Sequence, residues 1–323
     1  MEFFKYTRPF DFMGKSKIAM TISIILVLTS YVILATKGLN YGIDFAGGTI
    51  VQVKYNKEAP IKEMRERLKG NKLFDNASIT EFGSPDEVVI RMKTSTASVT
   101  QDIGDVTREA LKGTGDFKIR RVDIVGPKVG SELKEKGLMA LLLSVGAILI
   151  YVAFRFEWRF AVASIVALVH DVSISMGAVA LFQIDVNLDV LAAILTLLGY
   201  SLNDTIIVFD RIREGIVKSK NVDLAEIINE SITRTLARTT LTSLTTFFVV
   251  FTLFMFGGEI IHAFAFTLLV GIVVGTYSSI FVASPILMFF GFDVKKYHTK
   301  LAEKAKREAE KERMRAQYES GVM

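Results

Sequence analysis

Four Asp and Arg side chains stand inside long apolar stretches of this sequence, and they are the residues best placed to do chemistry there. The four are Asp171, Asp189, Asp204 and Arg238. A charged group at the centre of a bilayer costs at least about 2.5 kcal/mol on insertion scales, so each needs a physical reason for its position. Buried carboxylates offer proton uptake and release, because burial favours their neutral form and a nearby cation favours their charged form.

Asp204 has the most polar surroundings of the four. Ser201, Asp204 and Arg211 are spaced by three and seven residues and share one face of a helix, with Tyr200 and Asn203 in the same turn. This pattern favours a functional acid over one that only pairs helices.

Arg238 is the one basic residue well inside an apolar stretch, and two interpretations of it stay open. It lies on the same side of the membrane as Asp204, so pairing would reduce the cost of burying either charge. Alternatively, Arg234 and Arg238 both extend to the lipid headgroups from positions four residues apart. The residues alone do not decide between the two.

The other two acids have structural as well as functional interpretations. Asp171 follows His170, and an acid–imidazole pair can relay protons, although neighbouring residues on a helix point about 100° apart and need not touch. Hydrogen bonds to other helices would explain Asp171 equally well. Asp189 lies near the start of its stretch, where it and Asn187 can cap free backbone N–H groups, and we expect that role for it.

Six apolar stretches must position these residues. They contain 139 residues but only four of the 73 charged side chains. Each is long enough for the ~30 Å hydrocarbon layer at about 1.5 Å per helical residue, which predicts an α-helical membrane protein and excludes a soluble one. In the last stretch, Gly271 and Gly275 form a GxxxG step for helix packing, and Pro285 is expected to end the spanning part. The predicted helices occupy residues 18–36, 138–154, 160–184, 186–209, 236–256 and 260–292.

Composition excludes several kinds of site. The chain has no Cys and three scattered His, which excludes disulfides, thiolate metal sites and a zinc centre. We therefore expect no metal, no cofactor and no enzymatic activity. The first apolar stretch follows Lys15 and Lys17 as a signal peptide would, but its uncharged run is longer than the apolar h-region of a typical signal peptide and no A-x-A site follows. It is expected to remain as an anchor.

Positive charge in the short loops indicates the orientation. One set of loops and termini contains 20 Lys and Arg, whereas the alternate loops contain none. Cytoplasmic loops carry such an excess, so both termini are expected in the cytoplasm and residues 37–137 outside it. The basic set comprises residues 1–17, 155–159, 210–235 and 293–323, and the alternate loops are those around Asp185 and at 257–259. The mixed charges of the tail 293–323 suit a solvated helix.

The outer segment 37–137 has a pattern typical of a small domain. Its order β-α-β-β-α-β predicts a ferredoxin-like, split βαβ fold. It has no His or Cys and a mixed charge, which favours a binding or mechanical module over an active site. The strands are predicted at Thr49–Tyr55, Ala77–Phe82, Val88–Lys93 and Phe117–Val125, and the helices at Ile61–Lys69 and Val99–Leu111.

A glycine-rich segment joins the first apolar stretch to this domain. Its three glycines in seven residues permit backbone angles that other residues resist. We expect a tight turn that serves as a hinge, built from Gly42, Asp44, Gly47 and Gly48. The absence of a following Gly-Lys-Ser/Thr argues against a nucleotide-binding loop.

Three segments carry a family resemblance. They are G-I-D-F-A-G-G at 42–48, G-Y-S-L-N-D-T at 199–205 leading to F-D-R-I-R-E at 209–214, and R-T-L-A-R-T at 234–239. Together they resemble the SecD/SecF family of the proton-driven RND superfamily, over nearly the whole chain except the tail. The resemblance implies an RND-type half of six helices with a ferredoxin-like periplasmic domain between the first two. It also implies that the proton-relay acid is Asp204, with Arg238 as its partner and Asp171 as a further relay candidate.

The resemblance also implies a function and its partners. It indicates a multi-pass protein of the cytoplasmic (inner) membrane that works with SecD and the SecY–SecE–SecG channel, using the proton gradient to promote translocation and release of preproteins. YajC and YidC are further candidate partners, and membrane lipids are expected to surround the chain. No nucleic acid is expected as a partner. Whether sodium replaces the proton as the coupling ion stays open. Some members are fused SecD–SecF chains of twelve helices, so SecD is expected here as a separate subunit. The alternatives are half of a small-molecule exporter and a passive membrane assembly scaffold.

Overall fold

Long apolar helices and one small sheet make up the computed structural model, which describes residues 9–69, 71–74, 77–92, 102–218, 223–291 and 294–319. Within these residues, six helices are long and apolar enough to span a membrane, which confirms the predicted architecture. In chain order the elements are α1 (Ser16–Lys37), α2 (Ile43–Ala46), β1 (Gly48–Tyr55), α3 (Ile61–Leu68), β2 (Ser78–Phe82), β3 (Ser84–Met92), α4 (Ile103–Ala110), β4 (Phe117–Val125), α5 (Pro127–Arg155), α6 (Trp158–Leu181), α7 (Leu188–Lys218), α8 (Leu224–Phe256), α9 (Gly258–Ser278), α10 (Ser284–Phe289) and α11 (Val294–Glu319).

Helices α6 and α7 form the centre of the bundle. Each buries at least half of its apolar window, whereas α1, α5 and α8 bury less than a fifth of theirs. Small residues allow the central contacts. A Cβ atom built on Gly271 of α9 would lie 2.6 Å from the Leu197 side chain of α7, and one on Gly275 would lie 3.1 Å from Cβ of Ser201. The GxxxG step therefore faces α7.

The last span continues past Pro285, contrary to the prediction that it ends there. A π-helical segment, Ser279–Ala283, follows α9, and α10 then begins at Ser284 with the proline in its first turn. Proline has no N–H to donate and is tolerated in a first turn, so a locally widened helix accommodates it. Ser284 also donates its hydroxyl to the carbonyl of Ser279 at 2.9 Å.

The helices extend beyond the apolar stretches that predicted them. Helix α5 begins at Pro127, eleven residues before the apolar stretch at 138, because Gly126 as N-cap and Pro127 at the first position start a helix regardless of hydropathy. Helices α7 and α8 likewise extend past their apolar parts and pack together through buried isoleucines such as Ile216 and Ile228. The tail forms α11, with Asp293 and residues 320–323 outside the described residues.

The outer domain has the predicted fold. Its four strands form an antiparallel sheet in the order β2-β3-β1-β4, and α3 and α4 are the two connecting helices. This is the ferredoxin-like arrangement, which confirms the β-α-β-β-α-β prediction. Alternate residues of β1, including Val51 and Val53, are fully buried in the core of this domain. The ends of two predicted elements, at Lys93 and from Val99, lie outside the described residues.

Candidate functional site

Asp171 is a buried acid shared by three helices. Its side chain on α6 is 0 % exposed. Oδ2 accepts hydrogen bonds from Ser201 Oγ on α7 at 2.5 Å and from Ser278 Oγ on α9 at 2.8 Å. Oδ1 lies 2.8 Å from Nδ1 of the neighbouring His170, so the two adjacent side chains do touch. The sequence left this contact open.

Asp204 is the second buried acid, and it too accepts a hydrogen bond from a hydroxyl of another helix. Its side chain on α7 is 1 % exposed. Ser243 Oγ on α8 donates to Asp204 Oδ2 at 3.2 Å, and Thr276 Oγ1 on α9 donates to Ser243 Oγ at 2.8 Å. Two hydroxyls from two further helices therefore form a short hydrogen-bonded chain that ends at the carboxylate.

The two acids belong to one polar layer across the bundle. Ser201 and Asp204 are three residues apart on α7, and Thr276 and Ser278 are two apart on α9, so both helices contribute to both clusters. Within each cluster, the carboxylate and the groups bonded to it can exchange protons along their hydrogen bonds. We call His170, Asp171, Ser201, Asp204, Ser243, Thr276 and Ser278 the polar layer.

Sequence reasoning missed Ser243 and Thr276. Both are hydroxyl residues in helices rich in Ser and Thr, so nothing in their type distinguishes them. The available signal was position: Ser243 lies in the fifth apolar stretch, on the helix that carries Arg238. Sequence alone does not provide the rotation of one helix against another, which is what selects these two residues.

Arg238 lies apart from Asp204 in this structure. Its side chain is exposed, and among the described residues no ion pair joins it to Asp204. The reason is helix geometry: Ser243, which faces Asp204, is five residues further along α8 and points roughly 140° away from Arg238. The pairing expected from the family resemblance is therefore absent here. Arg211, on the predicted stripe, pairs with Glu214 at 2.5 Å instead.

Helix α7 is capped chiefly by residues other than Asp189. Asn187 Oδ1 accepts from the N–H of Val190 at 3.1 Å, and Asp44 Oδ2 accepts from the N–H of Leu188 at 3.0 Å. Exposed Asp189 accepts a side-chain hydrogen bond from Asn187 at 3.3 Å. Its expected capping role is therefore indirect, because its carboxylate holds the capping amide.

The glycine-rich segment is docked on the outer end of the bundle. Gly42 donates its N–H to the carbonyl of Val186 at 2.9 Å, and residues 43–46 form the short helix α2. Gly47 and Gly48 then adopt φ angles of 72° and 155°. Only glycine adopts such angles readily, so the turn into the outer domain depends on these two residues.

The described residues contain no group of three or more His, Asp or Glu side chains arranged to hold a metal. Fold and site together define a multi-pass membrane protein in which two buried acids connect the central helices below an outer ferredoxin-like domain. The model of the C-terminal region of the protein export membrane proteins SecD/SecF matches residues 106–293, and the SecD/SecF GG motif matches residues 32–59. The chain belongs to the SecD/SecF family.

Individual relatives agree with this assignment. The chain is 49% identical to the protein translocase subunit SecF of Helicobacter pylori, over 99% of both chains. It is 46% identical to the subunit of the same name from Vibrio alginolyticus, over 89% of this chain and 91% of that one. The crystal structure of SecDF, a translocon-associated membrane protein from Thermus thermophilus, superimposes with a TM-score of 0.79 at 35% identity. That match covers 88% of this chain but only 39% of the SecDF chain.

Proposed function

We propose that this chain is an auxiliary subunit of the Sec protein-export machinery. With SecD, it uses the proton-motive force to promote translocation and release of preproteins across the cytoplasmic membrane, without enzymatic activity of its own. The named translocase subunits among its relatives support this role and do not favour a small-molecule exporter. The SecY–SecE–SecG channel is its proposed site of action, and YajC and YidC are further proposed partners.

SecD is proposed as a partner because the chain matches a protein named as the SecF subunit over 99% of both lengths, whereas its match to SecDF covers only part of that chain. The share of SecDF that it covers, 39%, leaves room for a second half of comparable or larger size. Exposed apolar side chains on several of the six helices provide surface for such a partner as well as for lipid.

One face of α8 is the best candidate for contact with SecD. It presents Arg238, Thr242, Thr245 and Thr252, which are exposed and lie at spacings of three, four and seven residues; we call them the polar stripe. Small residues favour close helix contact, and a guanidinium facing lipid is costly. A partner helix that covers the polar stripe would bury Arg238 against protein, at the cytoplasmic side where Asp204 also lies.

The observation that carries proton coupling is the environment of Asp204. This carboxylate is 1 % exposed and makes its hydrogen bond to a neutral hydroxyl, with no ion pair among the described residues. A buried carboxylate without a cation is disfavoured in its charged form, so proton binding stabilises this packing and proton loss destabilises it. Release of the proton would thus favour a different arrangement of α7, α8 and α9.

Asp204→Asn tests this function because asparagine mimics the protonated acid and retains a hydrogen-bonding side chain. We expect preprotein secretion in cells to fall to the level of a deletion strain while the variant still co-purifies with SecD. Asp189→Asn is the matched control: it changes an exposed acid of the same helix and should secrete normally. Wild-type secretion by Asp204→Asn in an assembled complex would refute proton coupling at this residue and favour a passive scaffold.

A further inference from the structure

The outer domain is connected to the bundle at one end of its sheet. The first residue of β1, Gly48, pairs with the last residue of β4, Val125, and the chain enters and leaves the domain at these neighbouring points. Strand β1 extends about 26 Å from there at about 3.3 Å per residue. At the far end, a Cβ atom on Gly83 would lie 3.5 Å from Cγ of Glu259 in the first turn of α9. The domain therefore lies across the outer end of the bundle.

The loop between α6 and α7 binds the segment that precedes the hinge. Val186 donates its N–H to the carbonyl of Asn40 at 2.7 Å and accepts from the N–H of Gly42 at 2.9 Å. The Asn40 side chain donates to Asp185 Oδ1 at 2.6 Å. Together with the Asp44 cap on Leu188, these contacts connect the segment to the start of α7 through both backbone and side chains.

Asp185 in this loop also binds the outer domain. Its other carboxylate oxygen, Oδ2, forms an ion pair with Arg91 near the end of β3. The side chains of Arg91 and Asp185 are 35% and 21% exposed. One carboxylate thus binds the docked segment through one oxygen and the sheet through the other, on opposite sides of the glycine turn at Gly47 and Gly48.

We propose that Asp185 is a positioning residue that couples the outer domain to the two helices carrying the buried acids. The proposal rests on the function proposed above. The loop joins α6, which carries Asp171, directly to α7, which carries Asp204, so any shift between these helices moves Asp185. The turn at Gly47 and Gly48 lets the outer domain change its angle to the bundle. The ion pair of Asp185 with Arg91 makes that angle depend on the position of the loop between α6 and α7.

Charge exchange tests the ion pair. Arg91→Asp and Asp185→Arg each place like charges opposite one another. We expect each variant to lower secretion about fivefold or more, because typical coupling free energies between two sites correspond to effects of at least about fivefold. The double variant restores an ion pair of reversed polarity and should recover secretion to near the wild-type level. Lys37→Ala is the matched control, because Lys37 Nζ contacts the carbonyl of Leu181 at the same end of α6 without touching the outer domain. It should secrete normally.

A distance measurement tests coupling apart from secretion. The chain has no Cys, so Lys118→Cys on β4 and Phe182→Cys in the loop give this chain two unique sites, which are spin-labelled before the complex with a cysteine-free SecD is formed. We expect Asp204→Asn to shift the distance distribution between the labels and Asp185→Asn to abolish that shift. A shift that persists with Asp185→Asn would overturn the proposal.

The outcomes separate the two proposals. If Asp204→Asn loses secretion while both single exchange variants secrete normally, the role of Asp185 is overturned and proton coupling is left intact. Normal secretion by Asp204→Asn would overturn proton coupling itself. The double exchange variant gives a further test. If its complex with SecD forms normally but its secretion stays low, a role that depends on the ion pair is overturned.

Discussion

At the scale of single residues, the hydrogen bonds to Asp171 show how the polar layer is held together. Two hydroxyls from two other helices converge on one carboxylate oxygen. Removing one partner of a hydrogen bond to a buried charged or polar group costs more free energy than the bond contributes net to stability. Ser201 and Ser278 therefore have a structural role that can be measured independently of secretion.

Ser201→Ala and Ser278→Ala should each lower the free energy of unfolding by about 1–3 kcal/mol, because each leaves Asp171 with one hydrogen bond fewer in a buried site. Thermal unfolding of the purified complex in detergent would measure the change. Ser175→Ala is a matched control on α6, since its hydroxyl is equally buried but has no hydrogen-bond partner in the structure. Equal losses for all three variants would show that the hydroxyl bonds to Asp171 contribute nothing specific.

The sequence identified both buried acids but not their surroundings. A charge in an apolar stretch is visible in the sequence because its cost depends only on depth, whereas its partners depend on how helices rotate against each other. Ser201 was found because it lies on the same helix as Asp204. Ser243 was not, because it lies on another helix, and the expected contact of Arg238 with Asp204 is absent for the same reason.

At the scale of elements, the glycine turn between α2 and β1 is a tightly constrained connection. Gly47→Ala should destabilise the protein by at least about 1 kcal/mol, because a side chain at positive φ is strained. Its Cβ would also lie 2.9 Å from Cα of Pro127. Thermal unfolding and secretion would both report the change. Gly126→Ala, on the adjoining connection, has φ of −67° and open space around its Cβ, so it should behave like wild type. Equal effects of the two variants would contradict this account of the turn.

Helix α8 presents two exposed faces of different character. The polar stripe runs beside an apolar face formed by Leu241, Leu244 and Phe248. The threonine hydroxyls of the polar stripe bond to carbonyls of their own helix, as Thr245 does to Leu241 at 2.9 Å, which leaves a smooth surface for a neighbouring helix. We therefore assign the polar stripe to SecD and the apolar face to lipid.

Thr245→Trp should reduce co-purification of SecD several-fold, because the large ring prevents close contact along the polar stripe. Phe248→Trp, a similar change on the apolar face, should leave SecD binding intact because lipid adapts to the larger side chain. Quantitative co-purification from membranes would compare the two. The assignment fails if the Phe248 variant loses SecD and the Thr245 variant keeps it.

The elements were more predictable than their connections. Alternating and continuous apolar patterns depend on local periodicity, so the six spanning helices and the order of the outer sheet followed from the sequence. The π-helical segment before Pro285 and the Asp44 cap on α7 did not, since one depends on packing around a proline and the other on a contact across 144 positions of sequence.

At the scale of the whole molecule, the unequal distribution of Lys and Arg predicts which side of the membrane each part of the chain faces. Positively charged loops resist translocation, so the outer domain and the Asp185 loop should face the periplasm and α11 the cytoplasm. Because the chain lacks Cys, Lys118→Cys and Lys311→Cys provide one exposed label site on each side. In intact spheroplasts, a membrane-impermeant maleimide should label the Lys118 variant fully and the Lys311 variant only after permeabilisation. The reverse pattern would place Asp185 on the cytoplasmic side and exclude its coupling to a periplasmic domain.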